Sequence, residues 1–199
     1  IYVSIYPKVG ISTQESIRDA VSYAFKFSKS GRNGCDAIIK AYLPEGKGGY
    51  LDGPSGGAAI ALMTIAALEG REIRNDATVT GTISNSGRIG EVGGLYEKVK
   101  IARDSGLRYF LTPQQNLYER IILRLLQEND GITVFEVGNV SEAKAFLVDG
   151  KNISREKTAP HVERINETLS AYEGRQEFKA LAKEMIALLM DSTRRINQE

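Results

Sequence analysis

The 199-residue chain has a single histidine and a single cysteine, and these two shortages narrow its chemistry first. His161 lies far along the chain in a charged segment, so a reactive serine has little prospect of a histidine base. Cys35 cannot close an internal disulfide, and no Cys/His spacing suits a metal. No window holds eighteen consecutive apolar residues, and no cationic-then-apolar signal segment opens the chain. Neither sign of charge prevails: 26 Lys and Arg against 25 Asp and Glu leave a net charge of +1. That balance gives no nucleic-acid footprint and no trap for acidic substrates. No Gly-x-x-x-x-Gly-Lys-[Ser/Thr] phosphate loop occurs. Internal repeats and low-complexity tracts are missing too.

What is present suits an ordinary soluble globular protein, with 42% apolar and 26% charged residues and length enough for one buried core plus an appendage. The chain opens at Ile1, already inside the strand-like run Ile1 to Ile5, and is expected to be a piece of something longer. Thr13 to Lys29 reads as a helix with apolar positions Ile17, Ala20, Val21, Ala24 and Phe25, capped by Ser12 or Thr13. Ala37 to Leu43 reads as a strand and Pro44 to Gly49 as a glycine-rich loop. Ala58 to Leu68 is apolar on every side, the pattern of a helix buried all round. Ala77 to Ile83 and Gly87 to Val92 read as strands around a turn at Asn85-Ser86-Gly87. The helix Gly94 to Ser105, the strand Arg108 to Leu111, the helix Leu117 to Gln127, the strand Ile132 to Val137 and the helix Ser141 to Val148 follow.

Strands alternating with helices predict a mixed α+β (α/β) domain over residues 1–150. The charge-rich, helical remainder, 151–199, reads as a C-terminal extension. Phe178, Leu181, Ala182, Met185, Leu188 and Leu189 line one face of its last helix, to be covered by its own domain or by a partner. Asn139, Asn152 and Asn166 begin glycosylation-type triplets, a pattern that also arises by chance.

Ser55 stands out in the stretch Leu51-Asp52-Gly53-Pro54-Ser55-Gly56-Gly57. A serine before a helical run is an ordinary N-cap. Here, however, Gly53, Gly56 and Gly57 clear the space around it for another backbone. A helix start also supplies free N–H groups and a partial positive charge suited to an oxyanion. Lys98 is the second candidate. On a helical wheel it falls in the middle of the apolar arc of Leu95, Val99, Ile101, Ala102 and Gly106, opposite Glu97, Lys100, Arg103 and Asp104. A lysine there is either desolvated, with a lowered pKa, or snorkels out to water. A neutral amine is the base that a serine without histidine requires.

The motifs Leu43-Pro44-Glu45-Gly46, Asp52-Gly53-Pro54-Ser55, Thr80-Gly81-Thr82-Ile83 and Gly87-Arg88-Ile89-Gly90-Glu91-Val92-Gly93-Gly94-Leu95-Tyr96-Glu97-Lys98 resemble the proteolytic domain of Lon proteases over residues 1–150. They are most similar to the archaeal branch, which includes Lon-like proteases lacking the usual ATPase part. The interval from Ser55 to Lys98 matches the family's spacing of serine and lysine. The resemblance implies a Ser-Lys dyad with Ser55 as nucleophile and Lys98 as general base. It implies that Thr80 helps hold the lysine amine. Asp52 matches an acidic residue whose orientation differs between active and inactive states, and Glu45 a turn bordering the cleft. Gly53 and Gly56 flank the nucleophile, although most relatives have alanine where this chain has Gly56. The extension after Gly150 has no counterpart in the core family domain.

The function expected from this resemblance is a serine endopeptidase acting on unfolded or damaged polypeptide, assembled as a homo-oligomeric ring, most often a hexamer. No metal and no cofactor are expected in this chain, and ATP enters only through an ATPase domain outside it. A cytoplasmic location is expected, with a membrane anchor or export signal outside the chain as the alternative. A non-proteolytic, ring-forming module of the same fold in a nucleic-acid-handling protein is the competing reading. It fits poorly with a chain that keeps both Ser55 and Lys98. A phosphate-binding turn before a helix rests on glycine content alone.

Overall fold

The computed structural model describes residues 2–3, 8–28, 36–40, 50–116 and 131–153, together with positions 119, 120, 123, 126, 127, 180, 183 and 187. Glu45 and its loop, Cys35, His161, Asn166 and the apolar face of the last helix lie outside the described residues.

A parallel three-stranded sheet forms the centre. Its strands are β5 (Ala77–Val79), β8 (Tyr109–Thr112) and β9 (Thr133–Glu136), in the order β5-β8-β9. Val79 stands opposite Leu111 and Leu111 opposite Phe135. Successive side chains on a strand point to opposite faces, and the two cores divide accordingly. Leu111 and Phe135 face a larger cluster with Ala58, Ala61, Leu62 and Ile65 of helix α2 (Gly57–Glu69) and Val140, Ala143 and Phe146 of helix α4 (Val140–Leu147). Phe110 and Val134 face a second cluster with Leu95, Val99 and Ala102 of helix α3 (Leu95–Asp104), and with Leu123 and Leu126 from the helical positions between 119 and 127. Helices therefore cover both faces of the sheet, as a parallel sheet requires.

Helix α1 (Ile11–Phe27) packs chiefly on α2, where fully buried Ala20 and Ala24 meet Ala58 and Ala61. Small side chains let the two backbones approach closely. Short strands complete the fold: β1 (Tyr2–Val3) pairs with β3 (Ile38–Ile39), β2 (Lys8–Val9) with β4 (Tyr50–Leu51), and β6 (Thr82–Ile83) with β7 (Ile89–Gly90). The first two pairs are parallel and the third is an antiparallel hairpin. Arg74 lies between the rings of Tyr109 and Phe146, 4.5 and 4.2 Å from their centroids, and holds Asp76 with two hydrogen bonds of 2.6 and 2.9 Å. The mixed α+β class read from the sequence is the class observed. No helix among the described residues is long and apolar enough to cross a membrane.

Three local expectations need correction. Helix α1 starts earlier than the sequence suggests, with Gly10 rather than Ser12 or Thr13 as its N-cap, because an acceptor from elsewhere serves its first turn. Helix α2 is not buried all round: Met63 is 50% exposed and Ala67, one turn on, is exposed too. The run Ala77 to Ile83 is two strands, not one, broken at Thr80 and Gly81. Asn139, the first of the glycosylation-type triplets, is the N-cap of α4 and accepts the Glu142 N–H at 3.0 Å.

Leu111 is fully buried in the central strand. Leu111→Ala is expected to cost about 2–5 kcal/mol, read as a lower urea midpoint with an unchanged m-value.

Candidate active site

Ser55 lies on a short 3-10 turn, Pro54–Gly56, between strand β4 and helix α2. Gly53 precedes it with φ 132°, and a Cβ there would meet nothing within 4 Å. Backbone conformation, not crowding, therefore calls for glycine at that position. Pro54 suits the first position of the turn, where no N–H is needed. The N-cap of α2 is Gly56, with no side-chain cap bond, and none caps the short turn either. Ser55 is half-buried and its hydroxyl is not spent on capping. The commonplace reading of this serine is thereby removed.

The turn cannot pair its carbonyls as a strand or helix would, and buried backbone groups need partners. Two elements supply them. From α1, the Thr13 hydroxyl donates to Gly53 O at 3.0 Å and the Ser16 hydroxyl to Pro54 O at 3.0 Å. The Gly10 N–H, just before α1, donates to Leu51 O at 2.8 Å. From the break between β5 and β6, the Gly81 N–H and the Thr80 hydroxyl both donate to Ser55 O, at 2.9 and 3.2 Å. Gly81 O in turn accepts the Ala58 N–H at 3.0 Å. These approaches leave no room for side chains. A Cβ on Gly57 would stand 2.7 Å from Ser16 Oγ, and one on Gly81 would stand 2.3 Å from Ile89 Cγ2.

Asp52 is exposed and turned toward α1. It accepts hydrogen bonds from the Ser12 hydroxyl, the Thr13 N–H (3.3 Å), the Gly53 N–H (3.0 Å) and the Tyr50 hydroxyl (3.3 Å). These donors, the Ser12 hydroxyl foremost, hold its carboxyl below the ordinary range.

Lys98 closes the first turn of α3, its N–H bonded to Gly94 O at 3.1 Å. The buried arc of the helix is Leu95, Val99 and Ala102, whereas Ile101 is 64% exposed. Ile101 therefore does not belong to the core-facing stripe, and Lys98 sits at the rim of that stripe rather than in its middle. It is half-buried. Burial lowers its pKa below the ordinary lysine value, and the positive end of the helix disfavours its cation further. Among the described residues it has no carboxylate partner.

Topology puts these parts at one end of the sheet. Thr80 follows the carboxyl end of β5. Helix α3 packs along the sheet through Leu95, Val99 and Ala102 and feeds β8 from its C-terminus, so its first turn, with Lys98, lies toward the carboxyl ends of the strands. Ligand sites of open parallel sheets occur at that end. Hydrogen bonds thus link Asp52 to Gly53 and Thr80 to Ser55 around the turn that contains Gly56, whereas Lys98 lies toward the same end with no hydrogen bond to any of them among the described residues. Glu45 lies outside the described residues. Sequence reading misses Thr13 and Ser16. The available signal is their place on the apolar side of α1, with Ile17 and Ala20. Among the described residues no three His, Cys, Asp or Glu side chains converge as metal ligands do.

Comparison with known proteins agrees with the first resemblance. Residues 4–144 match the family model described as the Lon protease (S16) C-terminal proteolytic domain. The chain is 37% identical over 114 residues to Lon protease 2 of Herpetosiphon aurantiacus, covering 55% of this chain and 14% of that protein. It is 30% identical over 146 residues to Lon protease of Neorickettsia sennetsu, covering 71% of this chain and 17% of that protein. With Lon protease of Desulfovibrio desulfuricans it shares 31% identity over 153 residues, 73% of this chain and 17% of that protein. Each of these relatives is thus matched over less than a fifth of its length.

Two outcomes follow from this geometry. Thr80→Val, which removes one donor to Ser55 O at nearly constant shape, is expected to cost about 1 kcal/mol in a denaturant titration. For Lys98 the folded-state pKa lies below the unfolded one, so stability rises with pH between the lowered value and the ordinary 10.5. Lys98→Met therefore raises the thermal midpoint most at neutral pH. Its advantage closes as pH approaches the ordinary lysine value.

Proposed function

The chain belongs to the family of the Lon protease C-terminal proteolytic domain, and from that premise we propose that it is a serine endopeptidase of unfolded polypeptide, with Ser55 as nucleophile and Lys98 as general base. The observation that carries this reading is a half-buried lysine with a lowered pKa, at the same end of the sheet as an uncapping serine in a fixed turn. A lysine becomes a base only when burial makes its neutral form accessible.

In the proposed reaction the neutral Lys98 amine takes the proton of the Ser55 hydroxyl as Oγ attacks the scissile carbonyl. The Ser55 N–H and a second N–H of the glycine-flanked turn hold the oxyanion. The Lys98 ammonium then returns a proton to the departing amine, and an ester is left on Ser55. Water, deprotonated by Lys98, attacks that ester and releases the acid product. The fixed carbonyls on either side of Ser55 keep Oγ in place through both halves of the cycle. An extended substrate pairs with backbone beside the turn, where Tyr50 and Leu51 are exposed, a mode that favours unfolded segments. Assembly into a homo-oligomeric ring and coupling to an ATPase domain outside this chain complete the proposal.

Lys98→Ala and Ser55→Ala are each expected to abolish hydrolysis of labelled unfolded casein while circular dichroism stays native. In the wild type the rate climbs with pH through an apparent pKa below that of free lysine, since the deprotonated amine is the working form. Full hydrolysis by Lys98→Ala would remove the dyad.

A further inference from the structure

We propose that Asp52 is a positioning residue that acts through helix α1: its carboxylate caps the first turn of that helix, and the capped turn holds the carbonyls that aim Ser55. The inference rests on the reading of Ser55 as nucleophile and adds to it what sets the nucleophile's geometry.

Helix α1 begins after Gly10, which brings no side-chain cap, and the first N–H groups of a helix need acceptors from outside it. Asp52, remote in sequence, takes that place by accepting the Thr13 N–H and the Ser12 hydroxyl. Its negative charge suits the positive end of the helix. Gly10 makes the approach possible: a Cβ there would stand 2.2 Å from Asp52 Cγ. The contact is reciprocal. The Gly10 N–H and the Thr13 and Ser16 hydroxyls reach back to the carbonyls of Leu51, Gly53 and Pro54. A shift of the first turn of α1 therefore moves the backbone on which Ser55 stands.

The competing role for an acid beside a Ser-Lys pair is to balance the lysine's charge. The groups that act on Asp52 here are Ser12, Thr13, Gly53 and Tyr50, and Lys98 is not among them. Lys98 for its part has no hydrogen bond or ion pair to Asp52 among the described residues, and burial lowers its pKa. Asp52 is needed as an oxygen acceptor, not as a charge near the base, and asparagine, as good a cap as aspartate, is able to replace it.

The test combines hydrogen exchange over residues 9–17 and 51–57 of the full chain with kcat, KM and the pH profile of peptide hydrolysis. Asp52→Ala is expected to speed exchange in both segments about fivefold, the equivalent of one lost cap, and to lower kcat with KM and apparent pKa unchanged. Asp52→Asn restores both exchange and kcat. Gly10→Ala, which displaces the carboxylate while leaving its charge, reproduces Asp52→Ala. Unchanged exchange in Asp52→Ala, an Asp52→Asn as defective as Asp52→Ala, or a shifted apparent pKa would each overturn the proposal. The dyad fails separately: hydrolysis that survives Lys98→Ala removes the base assignment and leaves the exchange result standing.

Discussion

The structure turns on one constraint. The backbone that carries Ser55 belongs to neither sheet nor regular helix, yet its carbonyls must be hydrogen-bonded because the turn is packed against α1 and the β5–β6 break. Side-chain hydroxyls provide much of the answer, with Thr13, Ser16 and Thr80 donating to the carbonyls of Gly53, Pro54 and Ser55 in turn. Hydrogen bonds to backbone from short, stiff side chains fix position more tightly than long ones do, since fewer rotamers are frozen. The same closeness dictates the glycines at 57 and 81, where a Cβ would overlap Ser16 Oγ or Ile89 Cγ2. Sequence, packing and site geometry are thus one problem at this turn.

Lys98 shows the complementary tension. A buried amine is costly to charge, so its place at the rim of the stripe formed by Leu95, Val99 and Ala102 lowers the stability of the protein at neutral pH. Rim placement has a further consequence. A lysine in the middle of the stripe would be closed off from a substrate, as the proposed base must not be, while one on the exposed side would keep its ordinary pKa.

The candidate residues Ser55 and Lys98 could be picked out from the sequence because both rest on local signals. Glycines on both sides of Ser55 and a lone cation on an apolar helical face need only neighbouring residues to be noticed. The mixed α+β class follows in the same way from alternating helical and strand periods. What escaped the sequence depends on partners distant in the chain. The cap of α1 is read locally as Ser12 or Thr13, but Asp52 supplies the acceptor, and no local pattern announces it. Thr80 reads as mid-strand, although Gly81 beside it is the mark of a break. Ile101 is counted into the apolar arc by a wheel that cannot know which side the sheet covers. Met63 and Ala67 look buried for the same reason.

The most direct test of the account is intact-mass spectrometry after incubation with a fluorophosphonate, on the wild type and on the Ser55→Ala and Lys98→Ala variants. A single adduct on the wild type and none on either variant is the expected result, because in the proposed dyad the serine reacts only with the lysine as its base. An adduct of equal extent on Lys98→Ala, or one that persists on Ser55→Ala, would contradict the account.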